Sequence, residues 1–360
     1  MNPLRRFATA ALVALLFTSL ALPNAHAVTI DMVTVGNPGN ANDTGGSGIG
    51  RVDYSYQIGK YDVTIGQYTE FLNAVAKTDT YSLYNTSMAT DLNVAGIARA
   101  GSSGSYTYSV INRSNRPITY VNWWDSARFS NWMANGQPTG AQSSTTTENG
   151  AYNVNGETTG SAPGRNTVNP NTSAAPTFYI PTVNEWYKAA YYSPEKGGPG
   201  SPGYYAYATQ SDTAPGNNIG PGTNQANYKK GVYSVTQSAS YSSSQNYLTD
   251  VGAFSGSGSF YGTFDQSGNV FQWNDLDGLA SSGSSRGLRG GDWSDSVPFY
   301  LSSSDDQSGI NWLEAYNSGF RLASPVAVPE PSTWVMGLAG IACGGWQMYR
   351  RHRLRHTSNG

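Results

Sequence analysis

Residues 58–73 read IGKYDVTIGQYTEFLN. The first residues close a run rich in β-formers, 52–61 (VDYSYQIGKY), which predicts a strand. At Thr64 the hydrophobic period changes. Thr64 and Gln67 have the three-residue spacing of a capping box, and Tyr68, Phe71, Leu72 and Val75 then recur at helical spacing. The stretch therefore predicts a strand delivering the chain into a helix over 65–77.

The same device recurs twice further along. Asn122 with Asp125 predicts a cap for a helix over 123–134, and Thr182 with Glu185 one for a helix running to residue 192. Residues 28–35 alternate in part and predict a first strand, followed by a Gly/Asn loop over 37–50. Short capped helices in a chain of short strands and Gly-rich turns predict one irregular α+β domain over 28–324. No repeat of solenoid or propeller length is visible. The polar segments 136–176, 194–222 and 233–245 exceed ordinary loop length and are expected to be surface insertions.

Composition narrows the chemistry. Of 360 residues, 12% are charged, about half the usual share, while Gly (42) and Tyr (25) are abundant. Between Val28 and Val328 stand 15 basic and 22 acidic residues, a balance that argues against a nucleic-acid partner. The single cysteine is Cys343, and the histidines are His26, His352 and His356. A body without thiol or imidazole excludes disulfides, Cys/His zinc sites, cysteine nucleophiles and Ser-His-Asp triads.

The two ends read as addresses. Arg5 and Arg6, an apolar run over 7–22 and the ending Ala25-His26-Ala27 have the pattern of a cleaved secretory signal, 1–27; an uncleaved anchor helix is the alternative. At the other end, a linker (325–333) holds Pro329-Glu330-Pro331. An apolar stretch over 334–349 and a basic tail over 350–360 follow. Sixteen residues are marginal for a transmembrane segment, and the arginines would stay cytoplasmic. This order resembles the PEP-CTERM sorting signal of Gram-negative bacteria. The resemblance implies recognition by an exosortase-type membrane protease and release to the cell surface or an exopolysaccharide matrix, against an ordinary anchor that stays in place.

Six ordered segments resemble the sulfatase-modifying factor, or formylglycine-generating enzyme, family: residues 58–73, RPITYVNWWDSARFSNWM (116–133), YIPTVNEWYKAAYY (179–192), YGTFDQSGNVFQW (261–273), RGLRGGDW (286–293) and GFRLA (319–323). The resemblance implies a variant of the C-type-lectin-like fold with little regular secondary structure and short antiparallel strands. Trp123, Trp124, Trp132, Trp186, Trp273, Trp293 and Trp312 are expected as core anchors.

In catalytic relatives a cysteine pair just after the motif resembling RGGDW binds copper and oxidises a substrate cysteine. Those positions fall near Asp295 and Tyr300, and neither is a thiol. Thiolates are what hold Cu(I), so no copper and no formylglycine formation are expected. Sulfoxide-synthase relatives need histidine-bound iron, for which the body has no ligand. The family also implies calcium (Ca2+). The matched positions are Asp265 (side chain), Gly268 and Val270 (carbonyls) and Gln272 (side chain, where the family has an acid). A second set begins with Asn227 (side chain) and Tyr228 (carbonyl), with a residue near Asp250. A tight turn needing positive φ is the other reading of Gly268-Asn269.

Asp292, Asp295, Asp305, Asp306 and Glu314 are expected to form a solvated acidic loop rather than a catalytic pair. Arg286, Arg289 and Arg321 are expected to pair with buried acids or carbonyls. Gln137-Pro138 slightly resembles the Gln-Pro pair of sugar-binding C-type lectins, but Thr139 stands where an acid should follow. The functional expectation is a non-catalytic surface or matrix module. Its groove, lined by Trp293, Asp295, Tyr300 and Trp312, would hold a polysaccharide or a matrix protein. The alternative is an extracellular hydrolase or oxidase, dependent on the carboxylates at 292–306 or on a metal held by oxygens.

Overall fold

The computed structural model describes residues 27–276 and 285–325. Residues 1–26 of the expected leader, the Pro329-Glu330-Pro331 motif, the apolar stretch at 334–349 and the basic tail all lie outside them. Among the described residues, no helix is long and apolar enough to cross a membrane.

The elements run β1 (Met32–Val35), β2 (Tyr56–Gly59), α1 (Ile65–Val75), α2 (Ser87–Thr90), β3 (Ile97–Ala100), β4 (Thr107–Val110), α3 (Trp123–Ala134) and α4 (Val183–Tyr191). They continue with β5 (Tyr192–Ser193), β6 (Gly203–Tyr204), β7 (Phe271–Asn274), β8 (Ser285–Arg289), a 3-10 turn (Pro298–Leu301), β9 (Ser308–Ile310), β10 (Ser318–Phe320) and β11 (Ala323–Pro325). This is a mixed α and β fold of short helices and short strands. The first strands are shorter than the sequence predicts, because only 32–35 and 56–59 find ladder partners.

All three capping boxes form. Thr64 Oγ1 accepts the Gln67 N–H at 3.3 Å while Gln67 Oε1 accepts the Thr64 N–H at 2.8 Å. Asn122 and Asp125 exchange the same pair of bonds, both at 2.9 Å. Thr182 and Glu185 do so at 3.1 and 2.8 Å. Each cap satisfies helix-end donors that would otherwise be orphaned.

Three strands, in the order β1-β2-β11, form one antiparallel sheet, so the two ends of the body share a ladder. A second sheet runs β10-β7-β8-β9. Its β10 and β7 are parallel, an exception to the expected antiparallel strands, because Ser318–Phe320 re-enters alongside Phe271–Trp273 after the long β7–β10 excursion. The main core lies between α1, α3 and these sheets. Phe71 meets Phe129 and Trp132 with ring centroids 5.2 Å apart in each case, and Phe129 meets Phe320 at 5.4 Å. Edge-on and tilted pairs of this kind add to the area they bury.

Two expectations need correction. The 136–176 segment is not a surface insertion, for Ala151, Tyr152, Val154 and Ala162 belong to the main core. Side-chain amides make this possible by serving backbone groups where no ladder exists: Asn131 Nδ2 donates to the Thr147 and Tyr152 carbonyls, and Asn135 Nδ2 to those of Thr146 and Asn149. The buried Arg128–Glu148 pair, with two bonds of 2.9 Å, ties the segment to α3. Every residue of α3 is buried for the same reason, polar ones included. The second correction is Trp312, which is 40% exposed and anchors no core.

Candidate functional site

Gly268 and Asn269 adopt φ of 87° and 69°, the left-handed turn allowed for by the sequence. A Cβ on Gly268 would stand 2.3 Å from the Asn227 carbonyl oxygen, so only glycine fits. This turn gathers two motif segments and Asn227. Asn269 N–H donates to the Asn227 carbonyl, Gly268 N–H to that of Gly290, and Trp293 N–H to that of Asn269.

Trp293 is thereby set under a column of rings. Its indole lies parallel to Tyr247, with centroids 4.8 Å apart and 5° between planes, and Tyr247 stacks in turn on Tyr241 at 6.0 Å. Tyr316 meets the indole edge-on at 5.8 Å. Only 4% of Trp293 is exposed, against 57% of Tyr241 and 39% of Tyr316. The tryptophan is the floor of an aromatic surface rather than its contact face.

The acids around it are not a solvated loop, which corrects the sequence reading. Asp292 is buried: Oδ1 accepts Ser294 N–H and Oγ–H at 2.7 and 2.6 Å, and Oδ2 accepts from Asn317 Nδ2 at 2.7 Å. Asp295 Oδ2 accepts the Asp292 N–H at 2.8 Å. Burial, reinforced by the Asp292 charge, pushes the Asp295 carboxyl up to about 7. Burial likewise raises Asp292, and brings Asp305 to about 6. Glu314 leaves this group and accepts from Asn85 and Asn122. Asp306 is exposed.

Trp293 and Asp295 therefore share one turn. Tyr300 lies half-buried on the 3-10 turn, edge-on to Phe299. Among the described residues, no ring contact or hydrogen bond joins Tyr300 or Trp312 to Trp293 or Asp295. Tyr241, Tyr247, Ser294, Tyr316 and Asn317 were not foreseen. The first two lie in a Ser/Tyr-rich stretch whose spacing carries no helical or strand period.

The metal positions can be judged from their donors. Gln272 Oε1 accepts from Trp186 Nε1 at 2.7 Å and from Arg321 Nε at 2.6 Å, which engages both lone pairs, and its Nε2 donates to the Asp265 carbonyl. Asp265 Oδ2 takes the Gly252 N–H, the Gly268 carbonyl takes the Val270 N–H, and burial raises the Asp265 carboxyl to about 6. At the second position the Tyr228 carbonyl accepts from Asn217 and Ser234, Asn227 Nδ2 donates to the Tyr247 carbonyl and Asn269, and Asp250 pairs with Arg113 at 2.8 Å. Gln272, with both lone pairs of Oε1 engaged, and Asp250, paired with Arg113, do not fit as ligands of calcium, which needs six to eight free oxygens. Copper does not fit either, since Asp295 and Tyr300 offer hard oxygen in place of thiolate. Among the described residues, no three His, Cys, Asp or Glu side chains converge.

The arginines of the motifs hold the site from behind. Arg286 pairs with Asp275 at 3.2 Å and Arg289 donates to the Asp305 carbonyl. Arg321 Nη2 reaches Asp62 at 3.1 Å.

No protein of curated function matches the chain. Among solved structures it is similar to CarF (21% identity, TM-score 0.44, covering 83% of this chain and 99% of that one). It is also similar to Treponema denticola variable protein 1 (17%, 0.44, 84% and 97%) and to PvdO from Pseudomonas aeruginosa (16%, 0.43, 82% and 94%). The sulfatase-modifying factor enzyme 1-like domain matches residues 36–326. The chain belongs to that family.

Proposed function

We propose that this is a non-catalytic member of the family, exported and displayed outside the cell, where it holds an extracellular polysaccharide against the rings of Tyr241 and Tyr316, with Trp312 as a further exposed ring. One observation carries the reading. The positions where catalytic relatives would hold copper are Asp295, already bonded to the Asp292 N–H, and Tyr300, while the neighbouring tryptophan is sealed beneath Tyr247. What remains accessible is aromatic surface beside carboxylates, and such surface suits the apolar faces and hydroxyls of sugars. On the same reading an exosortase-type membrane protease recognises Pro329-Glu330-Pro331 and frees the body from the apolar segment. A matrix protein is the other ligand class to be screened.

The test is retention of the exported protein on immobilised exopolysaccharide. Tyr316→Ala should lower it severalfold with the fold intact, and unaltered retention refutes the proposed face.

A second reading, a carboxylate-dependent enzyme, rests on the Asp295 carboxyl standing at about 7, where a group can both give and take protons. It requires turnover that Asp295→Asn abolishes. The binding reading requires none.

A further inference from the structure

Gln137, which precedes Pro138 in the chain, takes no part in the site above. Its backbone φ is 61°, a left-handed conformation uncommon for a residue with a side chain. The turn is fixed from both sides: Gln137 N–H donates to the Trp132 carbonyl at 2.9 Å, and Trp132 Nε1 to the Pro138 carbonyl at 2.9 Å. The side chain so aimed meets both backbone groups of one residue. Val28 N donates to Gln137 Oε1 at 2.6 Å, and Gln137 Nε2 donates to the Val28 carbonyl at 2.8 Å. Gln67 Nε2 holds the next carbonyl, that of Thr29, at 2.8 Å.

Val28 is itself 7% exposed and packed in the main core, whereas Ala27 is exposed. The change from exposed to buried chain thus falls on the Ala27–Val28 bond. Ala27 stands at the rim of two hollows of about 640 and 410 Å3, and Glu70 lines both.

We propose that the Ala27–Val28 bond is a processing site and that the amine released there is captured by Gln137, so that the exported chain is fastened by its own first residue. A signal-type endopeptidase adds water across the bond. The oxygen goes to the Ala27 carboxylate, which leaves with the leader, and Val28 nitrogen becomes an ammonium at neutral pH. Charge strengthens the contact already made, because an ionised donor bonds about twice as strongly as a neutral one. Glu70 lines both hollows that Ala27 lines, which puts a carboxylate in the neighbourhood of the new ammonium. A protease needs extended chain on both sides of the bond, whereas Val28 and Ile30 are packed against the core and the Val28 and Thr29 carbonyls are held by Gln137 and Gln67. Cleavage therefore precedes docking. With both ends of its amide engaged, Gln137 is not a sugar ligand. The proposal depends on export but not on the aromatic face.

The experiment exports the full chain with its leader from a Gram-negative host, sequences the amino terminus of the folded product, and measures labelling by an N-terminus-selective aldehyde at neutral pH. Val28 should be the first residue. It should label about tenfold more slowly than in urea, as a group released only by local opening does. Gln137→Ala should restore fast labelling with circular dichroism unchanged, while Gln137→Glu, which keeps an oxygen for the amine, should stay slow. Should Gln137→Ala not fold, Gln137→Asn withdraws the oxygen by one methylene and should label fast. A first residue other than Val28 overturns the proposal, as does a Val28 that labels at the urea rate, or a variant lacking the oxygen that stays slow.

Discussion

The backbone N–H of Asp292 donates to Oδ2 of Asp295 at 2.8 Å, so one carboxylate closes the turn that carries the other. The pair is linked mechanically as well as electrostatically, because the Asp292 charge adds to burial in raising Asp295 to about 7.

That shift fixes a pH dependence. Unfolded, the Asp295 carboxyl titrates at about 3.9. Between that value and about 7 the folded chain keeps a proton that the unfolded chain has released, so stability falls as pH rises through the window and levels off above it. Scanning calorimetry from pH 5 to 8 should show a falling Tm. Asp295→Asn, which keeps an oxygen for the Asp292 N–H, should flatten the slope and raise Tm at pH 8. A Tm that climbs over this range contradicts the assignment.

Arg321 acts as the buried cation of the β7 site. It reaches Gln272 Oε1, the Gly59 and Phe264 carbonyls and Asp62 with bonds between 2.6 and 3.1 Å. Removing it in Arg321→Gln strips the fully buried Asp62 of its partner and should cost about 3–5 kcal/mol in urea unfolding. Excess EGTA should leave Tm of the parent chain unchanged. A fall on chelation would mean that a metal ion shares this role.

The tryptophans at 293 and 312 should behave as opposites. Trp293→Ala empties a site under Tyr247 and should destabilise by about 3–5 kcal/mol. Trp312→Ala changes exposed surface and should stay within about 0.5 kcal/mol, while retention on polysaccharide drops. Equal losses of stability in the two variants would place Trp312 in the core after all.

Gly268→Ala should be costly although it adds one methyl group. The turn needs φ of 87°, and the new Cβ would press on the Asn227 carbonyl at 2.3 Å. A loss of about 1–3 kcal/mol is expected, read from the urea midpoint. A neutral result would show that the turn can relax.

What could be read from the sequence was local. Thr64 with Gln67, Asn122 with Asp125 and Thr182 with Glu185 are legible because each cap is complete within four residues. The Gly268-Asn269 turn is legible for the same reason. The stack of Trp293 on Tyr247 is not, since its partner comes from a Ser/Tyr-rich stretch about which spacing says nothing. Tyr152 was hidden likewise inside a polar segment. Its burial depends on Asn131, whose amide bonds the Tyr152 backbone from twenty-one positions away. Hydrophobic periodicity carries no trace of such long-range amide bonds, and so the segments they fold read as loops.

The reliance on asparagine has a consequence in time. Asn135 Nδ2 donates to the Thr146 and Asn149 carbonyls, and Gly136 follows it in the chain. Loss of ammonia would replace a two-proton donor by a carboxylate aimed at two oxygens, turning attraction into repulsion. The chain would then age chemically, fastening by fastening, rather than unfold at once.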